Sequence, residues 1–408
     1  MSDVWRTRVL SPRDPGSVEW VEDAVVVLDA GQIVEVGPYD GRSVDVDHRP
    51  GVVLPGFVDA HVHFPQTRIV GAASGPLLQW LQTAAFPEEA RFADPDHARA
   101  VAAVFCDRLI AAGTTLSLVY SSVHPHAAEV LFCALDAAGL RAVAGPVLMD
   151  HGAPEELLLA APAALDALGA LADRWHGHDA GRLHVAAIPR FALSCSRQLL
   201  AGAGRLAADR GLWTSTHLAE TVAESEAAVA AFSTADYLQV YEDAGLVHDR
   251  SVFAHCVHLS DNAWDRLAAA GATVAHCPDS NDFLGSGGMP TQAALDRGVA
   301  VAIGSDIAAG RSFQVPRILS SAYDNGLRHG LRLTPAQLLW WGTRGGALAL
   351  GHPEVGQVAA GLQADLCLFD PPPWAHTAEE VLAALIFDHD APPMRATWVR
   401  GRRLGQPD

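Results

Sequence analysis

Hydrophobic and polar positions set two different rhythms along the chain. Residues 22 to 36 (EDAVVVLDAGQIVEV) read as two short extended segments joined at Asp29-Ala30-Gly31, which predicts a β-hairpin. Residues 364 to 370 (ADLCLFD) and 396 to 404 (ATWVRGRRL) read as strands again. From VVLPGF at 52 to 57 onward the rhythm differs. Further apolar, strand-like runs follow at 114 to 120, 141 to 149, 183 to 189, 212 to 217, 251 to 256, 273 to 277 and 299 to 306. Between most of them lie Ala- and Leu-rich amphipathic segments, such as 96 to 113 and 260 to 271, each closing on Gly as a helix C-terminus does. Eight strand–helix units predict an α/β fold, a (β/α)8 barrel of the TIM type. The terminal strands, distant in sequence, are expected to join in a small composite β-sandwich domain. The boundaries are 1–54 and 356–408 for the two parts of that domain and 55–355 for the barrel.

Composition narrows the class. Half of the 408 residues are hydrophobic and 18% are charged, enough to bury a large core and too apolar for a disordered chain. The formal charge of -19 repels phosphate backbones and acidic membrane surfaces, which predicts no nucleic-acid and no membrane partner. The opening MSDVWRTRVL has no basic segment followed by an apolar one, and no apolar run reaches membrane-spanning length, so a cytoplasmic protein is expected. Cys106, Cys133, Cys195, Cys256, Cys277 and Cys367 are scattered without a C-x-x-C pair, which predicts reduced and mostly buried thiols.

In a barrel of this kind the chemistry gathers at the C-terminal ends of the strands. The first strand leads into Asp59-Ala60-His61-Val62-His63, where the period of two in extended chain turns both imidazoles to one side. The fifth run ends at His217, the sixth at His255 and the eighth at Asp306. A lone histidine at a strand end is more often a hydrogen-bonded core residue, and the chain has nineteen. Five candidates on four strand ends instead suggest a nitrogen-and-oxygen site for zinc, iron or manganese with a position left for water. His124 and His126 precede a helical pattern and are read as a helix start, whereas His258 and His276 are read as structural.

The motifs PGFVDAHVH (55 to 63), THLAE (216 to 220), AHC (254 to 256) and GSD (304 to 306) resemble those of the metal-dependent amidohydrolases. A narrower set resembles the guanine deaminases within them: FPQT (64 to 67), LLQWLQTAAFPEEARF (77 to 92), SVHPHA (122 to 127), PRFALSCS (189 to 196) and HCPDSNDFLGSG (276 to 287). The resemblance implies one Zn2+ per subunit, with Fe2+ as the other candidate ion, bound by His61, His63, His217 and Asp306. It implies Glu220 as proton shuttle, His255 as the residue that orients the hydrolytic water, and Gln66, Arg190 and Phe191 as purine contacts. A homodimer is implied as well.

Chemistry agrees with these assignments. Displacing an amino group from an aromatic ring needs hydroxide at neutral pH, which zinc supplies by lowering the pKa of water to about 7. Attack at C2 of guanine makes a tetrahedral carbon, and the adjacent ring nitrogen needs a proton that Glu220 can give. Asp306 can take the proton from water, and His255 can stabilise the developing oxygen charge. Arg190 is a forked donor suited to O6, Gln66 offers a donor and an acceptor, and Trp80 with Phe191 can stack on the ring. Phe86 is read as core. His217 and Glu220 also border the substrate. Asp279 and Asp282 place unexpected acids in CPDSND, which leaves a pterin, an oxidised guanine or a triazine as alternative substrates. A non-catalytic metal-binding scaffold is the reading from another class.

Overall fold

The computed structural model describes residues 2–72 and 75–405. Eight parallel strands build the barrel: β5 (Phe57–His63), β6 (Thr114–Tyr120), β7 (Arg141–Gly145), β9 (Leu183–Pro189), β10 (Trp213–Leu218), β11 (Ser251–His255), β12 (Thr273–His276) and β13 (Ala300–Ile303). A two-residue strand, β8 (Val147–Leu148), pairs beside β9. The ring is tied shut after β13, where the Asp306 amide donates to the His61 carbonyl at 2.8 Å and Ser305 donates to Asp59 through its amide (2.9 Å) and hydroxyl (2.5 Å). Apolar runs such as TTLSLVY are buried along their whole length, as expected of parallel strands covered on both faces. The covering helices start and stop where the sequence marks them. Asp94 caps Pro95–Ala111, Ser260 caps Asp261–Ala270, and Gly271 ends the latter at φ +68°.

The terminal segments pair as β16-β15-β14-β4-β1-β2-β3, from β1 (Asp3–Asp14), β2 (Ser17–Asp29), β3 (Gln32–Pro38), β4 (Val46–Pro55), β14 (Leu366–Phe369), β15 (Ala396–Val399) and β16 (Arg402–Arg403). This is one continuous sheet that curls over its own core. Trp5 in β1 and Trp398 in β15 are three strands apart, roughly 14 Å in a flat sheet, yet their rings approach to 5.1 Å. The far edge returns too, since the Ile33 amide donates to the Leu362 carbonyl at 2.8 Å. The helix Ala378–Phe387 leans instead on the barrel, with Phe387 against Tyr323 of the helix Val315–Arg328.

Several sequence expectations shift at their edges for identifiable reasons. The run 52 to 57 spans two strands, because β4 serves the small sheet and β5 the barrel. Gly56 divides them where a Cβ would lie 2.2 Å from the Thr115 hydroxyl oxygen. Residues 141 to 149 break at Pro146, which has no N–H for the ladder. Residues 396 to 404 form a hairpin, turning at Arg400 (φ 49°) and Gly401 (φ 72°), as Ala30 and Gly31 turn the predicted first hairpin. The last run stops at Ile303, so Asp306 stands beyond the strand. All six cysteines are free, and only Cys133 is exposed. Among the described residues no helix is long and apolar enough to cross a membrane.

Candidate metal and active site

The mouth of the barrel gathers the side chains that the strand ends deliver. Donor atoms of His61, His63, His217 and Asp306 all lie within 4.8 Å of one another. Asp306 Oδ1 is 3.2 Å from His61 Nε2 and 3.4 Å from His63 Nε2, and the Nε2 atoms of His63 and His217 are 3.2 Å apart. Tyr120 packs edge-on to His61 at 4.6 Å and tilted against His63 at 4.7 Å, fixing both rings.

The donor set fits a cation. His217 Nδ1 lies 2.6 Å from the Arg190 carbonyl, which can only accept, so the proton is on Nδ1 and Nε2 is bare. Both nitrogens of the buried His61 ring lack a hydrogen-bond partner; its Nε2 is near Asp306 without the direction a hydrogen bond requires. Burial pushes the His61, His63 and His217 pKa values down, which keeps their lone pairs free. Burial works to raise Asp306, but the close approach of the His61 ring, with His255 and His63, holds it well below the usual carboxylate range. Three neutral imidazoles and a carboxylate around one point suit a first-row divalent metal.

Around this centre is a second ring of acids and hydrogen bonds. His255 Nε2 is 3.5 Å from Glu220 Oε2 and 3.8 Å from Asp306 Oδ2, while its Nδ1 is anchored to Asn281 Oδ1 at 2.9 Å. Burial opposes charge on His255, yet Glu220 and Asp306 hold its pKa above the ordinary value. Burial raises the Glu220 pKa as well. Ser286 donates to Glu220 Oε1 (2.8 Å) and Ser280 to Asp306 Oδ2 (2.6 Å). Behind Glu220, Glu224 accepts from the Glu220 amide and the Tyr237 hydroxyl, and burial raises its own pKa to about 7. The backbone is left-handed at Ala219, His255, Cys256 and Asp306, strain that L residues adopt only when their surroundings impose it.

A cavity opens on this cluster. Gln66, Trp80, Arg190, Phe191, His217 and Glu220, all singled out from the sequence, line it with His63, His255 and Asp306. Phe86 is buried behind the wall, with the Arg190 guanidinium 5.4 Å over its ring. His124 stands at a helix start as expected, bonded to Ser122. Asp279 and Asp282 do not reach the cavity. Asp279 accepts from the Arg311 amide at 2.6 Å and Asp282 pairs with Arg328, so the acids that suggested another substrate are neutralised outside the site. Sequence reading missed Glu89, Tyr120, Asn281, Ser280, Ser286 and the apolar walls Leu77, Leu81 and Leu284. All but Tyr120, which ends the apolar run 114 to 120, lie inside the quoted motifs, and that position was their only signal.

The amidohydrolase family model matches residues 52–404. The chain belongs to the amidohydrolase family. This amidohydrolase is 36% identical to guanine deaminase of Escherichia coli over 90% of the chain and 86% of that protein. It is 37% identical to a probable guanine deaminase of Deinococcus radiodurans over 98% and 97%. Among solved structures, guanine deaminase from C. acetobutylicum with bound guanine in the active site superposes with a TM-score of 0.94, at 26% identity over 99% of this amidohydrolase and 100% of that chain.

Proposed function

We propose that this amidohydrolase hydrolyses guanine to xanthine and ammonia with one zinc ion held by His61, His63, His217 and Asp306. The carrying observation is that this ligand cluster, the Glu220–His255 pair and the Arg190–Gln66 wall all face one cavity. Similarity to guanine deaminases over nearly the whole chain supports the substrate.

When bound, zinc supplies the Lewis acidity that lowers the pKa of water to about 7. Asp306 accepts the proton that the attacking water loses, with Ser280 holding Oδ2 in place. Glu220, oriented through Oε1 by Ser286, carries a proton on the side of Oε2 and delivers it to the ring nitrogen beside C2. The carboxylate left behind takes the proton of the hydroxyl now on C2 and passes it to the departing amino group, which leaves as ammonia, and the proton on Asp306 returns to Glu220. His255, tied back to Asn281, steadies the charge that grows on the oxygen at C2. Phe191 and Trp80 flank the flat ring, and Arg190 meets its oxo edge. The proposal includes a cytoplasmic homodimer acting in purine catabolism or salvage.

Metal analysis of the purified protein, combined with guanine absorbance and ammonia release, tests this reading. One zinc per chain and one ammonia per guanine consumed are expected; iron in its place would change the ion alone. Zinc-loaded protein that leaves guanine untouched would overturn it.

A further inference from the structure

The helix Phe86–Ala90 carries two buried acids, and Glu89, 1% exposed, belongs to no part of the chemistry described above. Its Oε1 accepts from Gln66 Nε2 at 2.8 Å, and both its oxygens accept from Arg190 Nη1 at 2.7 Å. Gln66 Oε1 in turn accepts from the Ala308 amide at 3.0 Å. A carboxylate can only accept and an amide N–H can only donate, so the two ends of the Gln66 side chain are unambiguously placed. One N–H of Gln66 and the Nη2 and Nε protons of Arg190 remain for a ligand, with a single lone pair on the Gln66 carbonyl. Arg190 is also the sole Lys or Arg among the cavity-lining residues, and Glu89 cancels its charge.

We propose that Glu89 is a positioning residue that makes the Gln66–Arg190 wall donor-rich and electrically neutral, selecting uncharged purines with a 6-oxo group over analogues lacking that acceptor. This rests on the guanine reading above. Without Glu89, Gln66 is held only at its carbonyl end by the Ala308 amide and Arg190 carries a bare charge into the cavity, where a carboxylate-bearing ligand becomes the better match. The wall reads the oxo edge, away from the carbon attacked, so its disturbance weakens binding more than turnover.

The test compares guanine with 2-aminopurine, which keeps the amino group and lacks O6. For E89Q we expect KM for guanine to rise roughly 10- to 100-fold, the worth of a charge-assisted hydrogen-bond set. Its kcat should change little, and 2-aminopurine kinetics should be nearly unaltered. E89D, which keeps the charge on a shorter arm, should fall between E89Q and the parent. Equal losses on both substrates, or an unchanged preference for guanine, would overturn the role of Glu89. If E89Q does not fold, Q66M leaves the Arg190–Glu89 pair intact. It should raise KM for guanine by more than KM for 2-aminopurine, and equal losses there refute the donor wall. A parent protein inactive on guanine but active on another ring would refute the guanine reading instead, which separates the two failures.

Discussion

Two buried charge clusters occupy opposite ends of the barrel and are built on opposite terms. At the N-terminal end of β7, Arg141 is wholly buried and spends its protons on Asp365 (3.1 Å), Glu354 (3.0 Å) and Gln363 (2.7 Å). Asp365 also accepts from the Arg400 amide at 2.9 Å, so this cluster binds the barrel to the C-terminal strands. At the mouth, by contrast, nitrogens of His61, His63 and His255 have no hydrogen-bond partner, and His255 and Asp306 have strained backbones. A cluster made for cohesion satisfies its donors and acceptors. One made for chemistry leaves some unmet, for a ligand to satisfy.

The sharpest break of this contrast is Asp306→Ala. It should abolish metal retention and lower guanine turnover by roughly 10⁴-fold, with the fold kept as judged by circular dichroism. Arg141→Met should do the reverse. Leaving Asp365 buried without its partner should cost about 3–5 kcal/mol of stability, read in denaturant unfolding, while activity per folded molecule is preserved. If Arg141→Met impaired turnover and left stability alone, the division between the two ends would fail. Glu220→Gln should retain the metal and slow turnover about 100-fold, measured together by metal analysis and steady-state kinetics.

The smallest expected effect is a pH dependence at the cohesive end. Burial works to raise the Glu354 pKa, but the His352 hydrogen bond and Arg141 lower it from 4.5 to about 2. A depressed carboxyl contributes stability above its unfolded pKa and loses it as pH falls toward the folded value. Glu354→Gln should therefore flatten the decline in melting temperature between about pH 4.5 and pH 2 and should lower stability at neutral pH. An identical acid limb in both proteins would remove Glu354 from the linkage.

What the sequence disclosed follows the range over which each feature is encoded. His61 and His63 were legible because alternation within one strand fixes their relative direction, and His217 and His255 because strand ends could be placed by periodicity; Asp306 was reached by a run read three residues too long, since β13 stops at Ile303. The barrel was legible for the same reason. β1 was not, since its inward residues Trp5, Thr7 and Val9 are interleaved with Arg6 and Arg8. Those arginines find their partners across the strand, Arg6 on Asp23 and Arg8 over Trp20. Glu89 stayed hidden because its meaning lies in Arg190, 101 residues away, and Ser286 because Glu220 is 66 residues away. The curl that turns one sheet into two facing layers leaves no local trace.

The pairing of β4 with β14 also bears on the order in which the molecule can be assembled. Cys367 donates to the Pro55 carbonyl from 312 residues further along the chain. During synthesis, β1 to β4 emerge before the barrel strands and can zip together, but the open edge of β4 waits until β14, beyond the last barrel strand, has been made. An unpaired edge held for that long invites association with other nascent chains. Closing it last makes the amino-terminal strands a clasp that fastens only around a nearly complete barrel.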